Sequence, residues 1–546
     1  MRIFKLFIGF ISIILHSTTA FSTPVDDVQK PFVIIVQPIV IQGDNGKDPA
    51  SMALPEDLVD QAFAKAGVDF YFLEPLFYNN SKARDGLINL DEIVKMATKD
   101  GFIRGQGDIV NMFFVNAVDG RKGPLGRGMM QGNLTFIALG SVQNRDPKAN
   151  ISQQKYMEAF VIAHEVGHNL GLKHAVNDKN VPNDIPNIQG DGDFSERINP
   201  KYSLNDYQIS ELKKSPLVRP RVDILSVQDA RKAIIDETFE PYFSKLQKRE
   251  IETFLQEKIS ISQLDDLRNY ARKRFQDAVL PFSETEQNAL TYIVEEVNKL
   301  LLKNNNYLMA DHPWRFIKID NWLCGGFAHT RGSFIILSQR HLNSLTGIWQ
   351  KNIDEKNRLK LLKKFGGLLA HEQMHSLQRS FPSKFVKLNT QFWDFKQANV
   401  ESEEYITLNQ VSNPDAPLAE WLIPNPQQPS EFYWVRTLLK EEVNLPQMGA
   451  DFTDQVFTVI FNEGNYTLKK DHDNKLITNT INDLTFYRES YPVTRGIDHP
   501  NEISAYMFSK VFQTMITKEN KSELILKNEV EFNKWIEQEM MSSDSD

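Results

Sequence analysis

The stretch "AFVIAHEVGHNLGLKHAVND", residues 159–178, places three of the chain's eleven histidines within eleven residues. That spacing leaves few options for local structure. His164 and His168 are four apart, so on an α-helix their rings share one face, one turn from each other. The preceding "YMEAFVIA" supplies an apolar helical stretch. Gly171 follows three residues after His168 and can adopt the left-handed conformation that ends a helix and turns the chain. His174 can then return to the point that the first two rings face. Three imidazoles around an open position form a donor set for catalytic zinc. Glu165, beside the first histidine, can take a proton from water at that position. The expected metal residues are therefore His164, His168 and His174, with Glu165 as general base.

A second stretch, "GGLLAHEQMHSLQRSF" at 366–381, repeats part of this pattern with His371, Glu372 and His375. No histidine follows at the earlier spacing, so a third ligand must come from elsewhere in the chain. Glu502 in "DHPNEISAYMFSKVF" (498–512) is the leading candidate, because Pro500 favours a helix start and places Glu502 in the first turn. Asp498 and His499 are rivals. The expectation is a second Zn2+ held by His371, His375 and Glu502, with Glu372 as base. Tyr506 and Tyr491 are oxyanion candidates, although each also reads as a core tyrosine. The stretch "NQVSNPDAP" (409–417) is a loop rich in turn formers.

The pattern H-E-x-x-H-x-x-G-x-x-H at 164–174 resembles the metzincin metalloproteases, over about residues 30–215. The resemblance implies a mixed-sheet domain and zinc-dependent hydrolysis of peptide bonds. It also implies an edge strand, read here as "GNLTFIALG", that aligns an extended substrate. Metzincins carry a methionine turn beneath the zinc, but this chain has no methionine between His174 and Tyr307. "PNIQGDG" (186–192) takes the place of that turn, with Gln189 where the methionine would sit. The second motif with a downstream glutamate is similar to the gluzincin metalloproteases. "CGGFAHTRGSFIILS" (324–338) reads as another glycine-flanked edge strand before its helix.

The remaining sequence frames these motifs. At 546 residues the chain exceeds one hydrophobic core. Strand-like runs such as "FVIIVQPIVI" (32–41) and "VDFYFLE" (68–74) alternate with helical ones, predicting an α+β fold. The expected domains are a metzincin-like unit at 30–215, a helical connector at 224–306 read as a solvated spacer, and a gluzincin-like unit at 312–540. "SPLVRPRVD" (215–223) reads as a linker. Arg2, Lys5 and the apolar run to Leu15 read as a signal peptide over 1–20, implying a secreted or periplasmic bacterial protein. Cys324 is the only cysteine and reads as a small buried thiol. A net charge of −9 without a basic run argues against nucleic acid, and no stable membrane association is expected once the signal is removed. The functional expectation is an exported zinc metalloendopeptidase acting on proteins or peptides. The alternatives are a zinc-binding secreted protein without turnover and a zinc amidase acting on cell-wall peptides.

Overall fold

The computed structural model describes residues 30–120, 124–144, 146–182, 187–190, 204–350, 352–493, 495–517 and 526–541. The stretch read as a signal peptide (1–20), the C-terminal tail and part of the 186–192 turn lie outside the described residues.

The fold is α+β, with three sheets. The first is built on β1 (Phe32–Gln42), which is buried along nearly its whole length. Its apolar residues do not alternate with polar ones because both faces are covered, as is usual for parallel strands. Ile34, Val36 and Val40 join the core beneath the first motif helix, while Ile39 and Ile41 join the core on the other face. β2 (Val68–Phe72) and then β3 (Leu76–Asn79) run parallel to one side of β1; β4 (Val110–Phe114) runs parallel to the other. The order continues through β5 (Gly126–Gly128) and β6 (Leu134–Ile137) as β2-β1-β4-β6-β5.

This order corrects one expectation. The apolar "LTFI" strand is not the edge, because β6 pairs with both β4 and β5. The glycine-rich segment is itself the edge strand. A Cβ at Gly126 would lie 2.6 Å from Glu165 Cγ, and one at Gly128 would lie 1.9 Å from the Glu165 carbonyl oxygen. Only glycine lets this strand lie so close against the motif helix.

The segment read as a linker is also a pair of strands. β7 (Arg219–Pro220) pairs antiparallel with β1, and one residue later β8 (Val222–Ile224) pairs parallel with β9 (Trp314–Ile319). Pro220 is tolerated because β7 is a two-residue flank that needs few ladder donors. The second sheet has the order β10-β11-β9-β8, with β10 (His329–Arg331) antiparallel to β11 (Phe334–Ser338) at its edge. The third joins β12 (Lys396–Gln397), β13 (Trp421–Pro424), β14 (Glu431–Leu439), β15 (Phe452–Asn462) and β16 (Asn465–Leu468), with β17 (Thr478–Thr480) also on β15.

The helical segment after β8 is not a solvated spacer. In helix Glu284–Lys303, Ile293, Val294, Val297 and Leu301 are wholly buried in one core with Trp314, Phe316, Met374 and Phe508. Even the charge-rich helix Leu264–Asp277 buries a stripe of Leu267, Ala271 and Phe275. That stripe is enough to seat it against Ile317 and Phe334 of the second sheet.

Polar contacts tie the first sheet to the second motif helix. His312 Nδ1 meets the Tyr71 hydroxyl at 2.7 Å and its Nε2 meets Ser376 Oγ at 2.6 Å. Glu74 N donates to the Ser380 carbonyl at 3.0 Å. Arg221 and Arg315 reach back to Asp69 and Asp108. Among the described residues, no helix is long and apolar enough to cross a membrane.

Candidate metal centres

The first motif lies on helix Ile151–Asn169, opened by a capping box between Asn150 and Gln153. The helix stops at Leu170, and Gly171 takes the left-handed conformation at φ 88°. The chain turns there and brings His174 back. One ring nitrogen from each of His164, His168 and His174 lies within 4.8 Å of the others. His164 Nδ1 lies 2.7 Å from the Ile188 carbonyl, and His168 Nδ1 lies 2.7 Å from the Leu172 carbonyl. A carbonyl only accepts, so each Nδ1 carries the proton, and each Nε2 presents a lone pair to the common point.

Their spacing suits a metal. His164 and His174 Nε2 are 3.3 Å apart. Tetrahedral zinc with ligand distances of 2.0–2.1 Å requires about 3.4 Å between nitrogens. Glu165 is buried on the adjacent helical position and accepts from Gly128 N at 2.6 Å. Burial raises its carboxyl to about 7 against the lowering effect of that bond. Gln189 is fully buried under the helix, as expected for the turn, and its Nε2 donates to the His164 carbonyl at 2.8 Å. Its Oε1 is buried without a partner.

The second motif lies on helix Gly367–Ser380, preceded by a π-helical turn at Leu362–Gly366. Glu502 approaches from helix Pro500–Thr517. His371, His375 and Glu502 form the other group within the same limit. The two Nε2 atoms are 3.2 Å apart, with Glu502 oxygens 3.5 and 3.7 Å from them. These separations are again near those around a tetrahedral ion. His375 Nδ1 is held by Gln378 Oε1 at 2.9 Å, and Gln378 in turn donates to the Asn501 carbonyl and Ser504 Oγ. This outer shell fixes the ring and links the two helices.

All three members of the second group are buried, whereas His164 and His174 are half-buried. Burial lowers His371 and His375 to about 3 and so keeps them neutral. It raises Glu372 and Glu502, and the nearby Asp415 charge raises both further. The rivals lie outside this group. His499 Nδ1 accepts from Asn501 N at 3.1 Å and its Nε2 lies 3.0 Å from the Leu418 carbonyl. Tyr491 is a core residue against Trp393, while Tyr506 packs edge-on to His371 and lines the cleft. Cys324 is buried, and burial pushes its thiol up, as expected of an inert thiol.

Several residues around this cleft were not singled out from sequence. Thr330 on edge strand β10 donates its hydroxyl to Glu372 Oε2 at 3.0 Å. Asp415 Oδ1 accepts from Thr330 N at 2.6 Å, and Asn413 Nδ2 donates to Glu502 Oε1 at 2.6 Å. Asn413 and Asp415 belong to the turn-rich 409–417 loop, which does line the cleft. Its composition marked a loop, but only the fold places that loop beside Thr330, 85 positions before Asp415, and Glu502, 89 positions after Asn413.

The chain matches no family model and no curated protein. Eleven chains of solved structures do match it. One is the crystal structure of archaemetzincin from Methanopyrus kandleri, at 11% identity and a TM-score of 0.24, covering 33% of this chain and 94% of that one. At that score the likeness does not by itself establish a common fold.

Proposed function

We propose that the chain is an exported zinc-dependent peptide hydrolase with one metal site at each HExxH helix. The observation that carries this reading is the convergence of three imidazole nitrogens, at metal-like separations, beside the buried Glu165 carboxylate. His164, His168 and His174 would hold the first ion; His371, His375 and Glu502 would hold the second. Bound at these residues, zinc would supply Lewis acidity that activates water near neutral pH and polarises a carbonyl. Glu165 accepts the proton of the attacking water and returns one to the leaving amine. Glu372 takes the same role in the second site, with Thr330 orienting its carboxylate. β5 and β10 end their sheets, so an extended peptide can align beside either one. The N-terminal apolar segment supports placing this activity outside the cytoplasm.

Elemental analysis together with casein hydrolysis tests the proposal. Wild type should carry two zinc ions per chain, falling to one in His168→Ala and to one in His375→Ala. Glu165→Gln and Glu372→Gln should keep both ions. Zinc lost only with His168→Ala would reduce the second motif to a structural helix. Zinc without any hydrolysis would favour a binding protein instead, and absence of zinc from freshly folded chain would overturn the reading.

A further inference from the structure

The second cleft is a cavity of about 720 Å³ whose walls have an unusual charge balance. Five carboxylates line it: Glu372, Asp415, Asp454, Asp498 and Glu502. Among the described residues lining it, Arg436 is the only lysine or arginine. Lining histidines do not offset the difference, because burial holds His329, His341 and His499 in the neutral form. With a divalent ion held at His371, His375 and Glu502, the side chains of Asp415, Asp454 and Asp498 still face a single guanidinium across the cleft. A cleft with low-dielectric walls concentrates such a field and favours cations inside it.

A second feature, independent of this charge balance, specifies a hydrogen-bond donor. His329 on β10 is 3% exposed and lines the same cleft. Its Nδ1 lies 3.1 Å from the Phe327 carbonyl, so Nδ1 carries the proton and donates. The neutral ring then leaves Nε2 as an acceptor, and this atom is buried with no partner. A buried acceptor left unpaired is costly, so a ligand that supplies a donor to it binds more tightly than one that does not. The acids and the orphan acceptor ask for the same chemistry, a positively charged group bearing N–H bonds. Trp421 and Trp434 also line the cleft, where a cation can sit against an aromatic ring. Arg436 already does so, 5.1 Å from the Trp434 ring.

We infer that the second cleft selects peptides carrying a cationic amine, either a free N-terminus or a lysine side chain, recognised by the His329 ring and the surrounding carboxylates. The inference rests on reading this cleft as a peptide site, but it concerns binding and stands apart from turnover. Asp415 and Asp454 provide the cleanest handles. Asp415→Asn keeps the oxygen that accepts from Thr330 N, and Asp454→Asn keeps the one that accepts from Thr437 Oγ1 at 2.7 Å. Each removes charge while retaining the acceptor.

The test uses the zinc-loaded full chain with Glu165→Gln and Glu372→Gln, so that peptides stay intact, and reads binding by fluorescence anisotropy. Four labelled peptides of equal length are compared: a free N-terminus without lysine, an acetylated peptide with one lysine, an acetylated neutral peptide, and an acetylated acidic one. At least one cationic peptide should bind about ten-fold tighter than the neutral one, the acidic one binding weakest. Its advantage should shrink several-fold at high salt. Asp454→Asn, at an exposed strand position, should weaken the cationic peptide without changing the neutral one, and Asp415→Asn should do the same. Which cationic peptide wins identifies the amine. Equal binding of cationic and neutral peptides overturns the inference, as does the absence of binding to a chain that holds its zinc. If this charge preference is found and the zinc-loaded wild-type chain nevertheless hydrolyses none of the four peptides, the binding site stands while the hydrolase reading is refuted.

Discussion

Gly167 lies between the two metal-site histidines of the first helix, directly above Gln189. A Cβ built there would come 2.1 Å from Gln189 Nε2 and 3.1 Å from its Cδ. The glutamine has little freedom to withdraw. It is fully buried, Nε2 is bonded to the His164 carbonyl, Gln189 N donates to Asn187 Oδ1 at 2.9 Å, and its own carbonyl accepts from Ala175 N at 2.7 Å. Gly167→Ala therefore sets two effects against each other. Helix propensity alone favours alanine by about 1 kcal/mol. Overpacking costs about 1–3 kcal/mol, and losing the amide hydrogen bond about 1 more. The single variant should be destabilised by about 1–3 kcal/mol, or about 1–3 °C in Tm for a chain of this length. In a Gln189→Ala background the obstruction is absent, so the same substitution should stabilise by about 1 kcal/mol. The coupling between the two positions is then about 2–4 kcal/mol. Thermal melts of the four proteins, run with chelator so that metal binding adds nothing, measure it. If Gly167→Ala stabilises equally in both backgrounds, Gln189 does not form the floor of this helix.

Other consequences can be measured directly. Glu165→Gln and Glu372→Gln should each lower kcat at their own site by about 10²-fold or more with zinc retained, read from substrate turnover and metal content. Lys318 and Glu286 form a buried ion pair at 2.8 Å, so Lys318→Met, which strands the carboxylate, should cost about 3–5 kcal/mol in urea unfolding. Burial lowers His312 from 6.5 to about 3, so between those values the unfolded chain binds more protons than the folded one. Stability should then be full above about pH 6.5 and fall as pH drops through that window, with a shallower loss in His312→Gln, read from urea midpoints at pH 4.5 and 7.5.

What could be read from sequence depended on how local the cause was. Gly171 and His174 were legible because helix pitch and a left-handed glycine act within one turn. Glu502 was legible as a partner for His371 only through chemistry, since 131 residues separate the two positions. The edge strand was misassigned because "LTFI" has the composition of a strand whereas "GRG" does not. What decides the edge is the close approach of the motif helix to Gly126 and Gly128, a tertiary fact. The spacer was misread for a related reason. A helix as charged as Leu264–Asp277 needs only one apolar stripe to be structural, and charge on its other faces hides that stripe in a composition average. Asp415, Thr330 and the orphaned His329 nitrogen arise from long-range packing and left no local signature.

The crossing at residues 219–224 limits how separable the two motif regions are. β7 completes the first sheet and β8 completes the second, with only Arg221 between them. A chain cut at 215 would leave the start of β1 without its flanking strand and remove the Arg221 partner of Asp69. Its remainder would begin with β7 as an orphan strand, since only β8 keeps its partner, β9. The two motif regions are therefore poor candidates for transplantation as independent modules. Co-produced fragments should recover their fold by strand exchange across this seam more readily than either fragment alone, which makes the seam a natural place for a split-protein reporter.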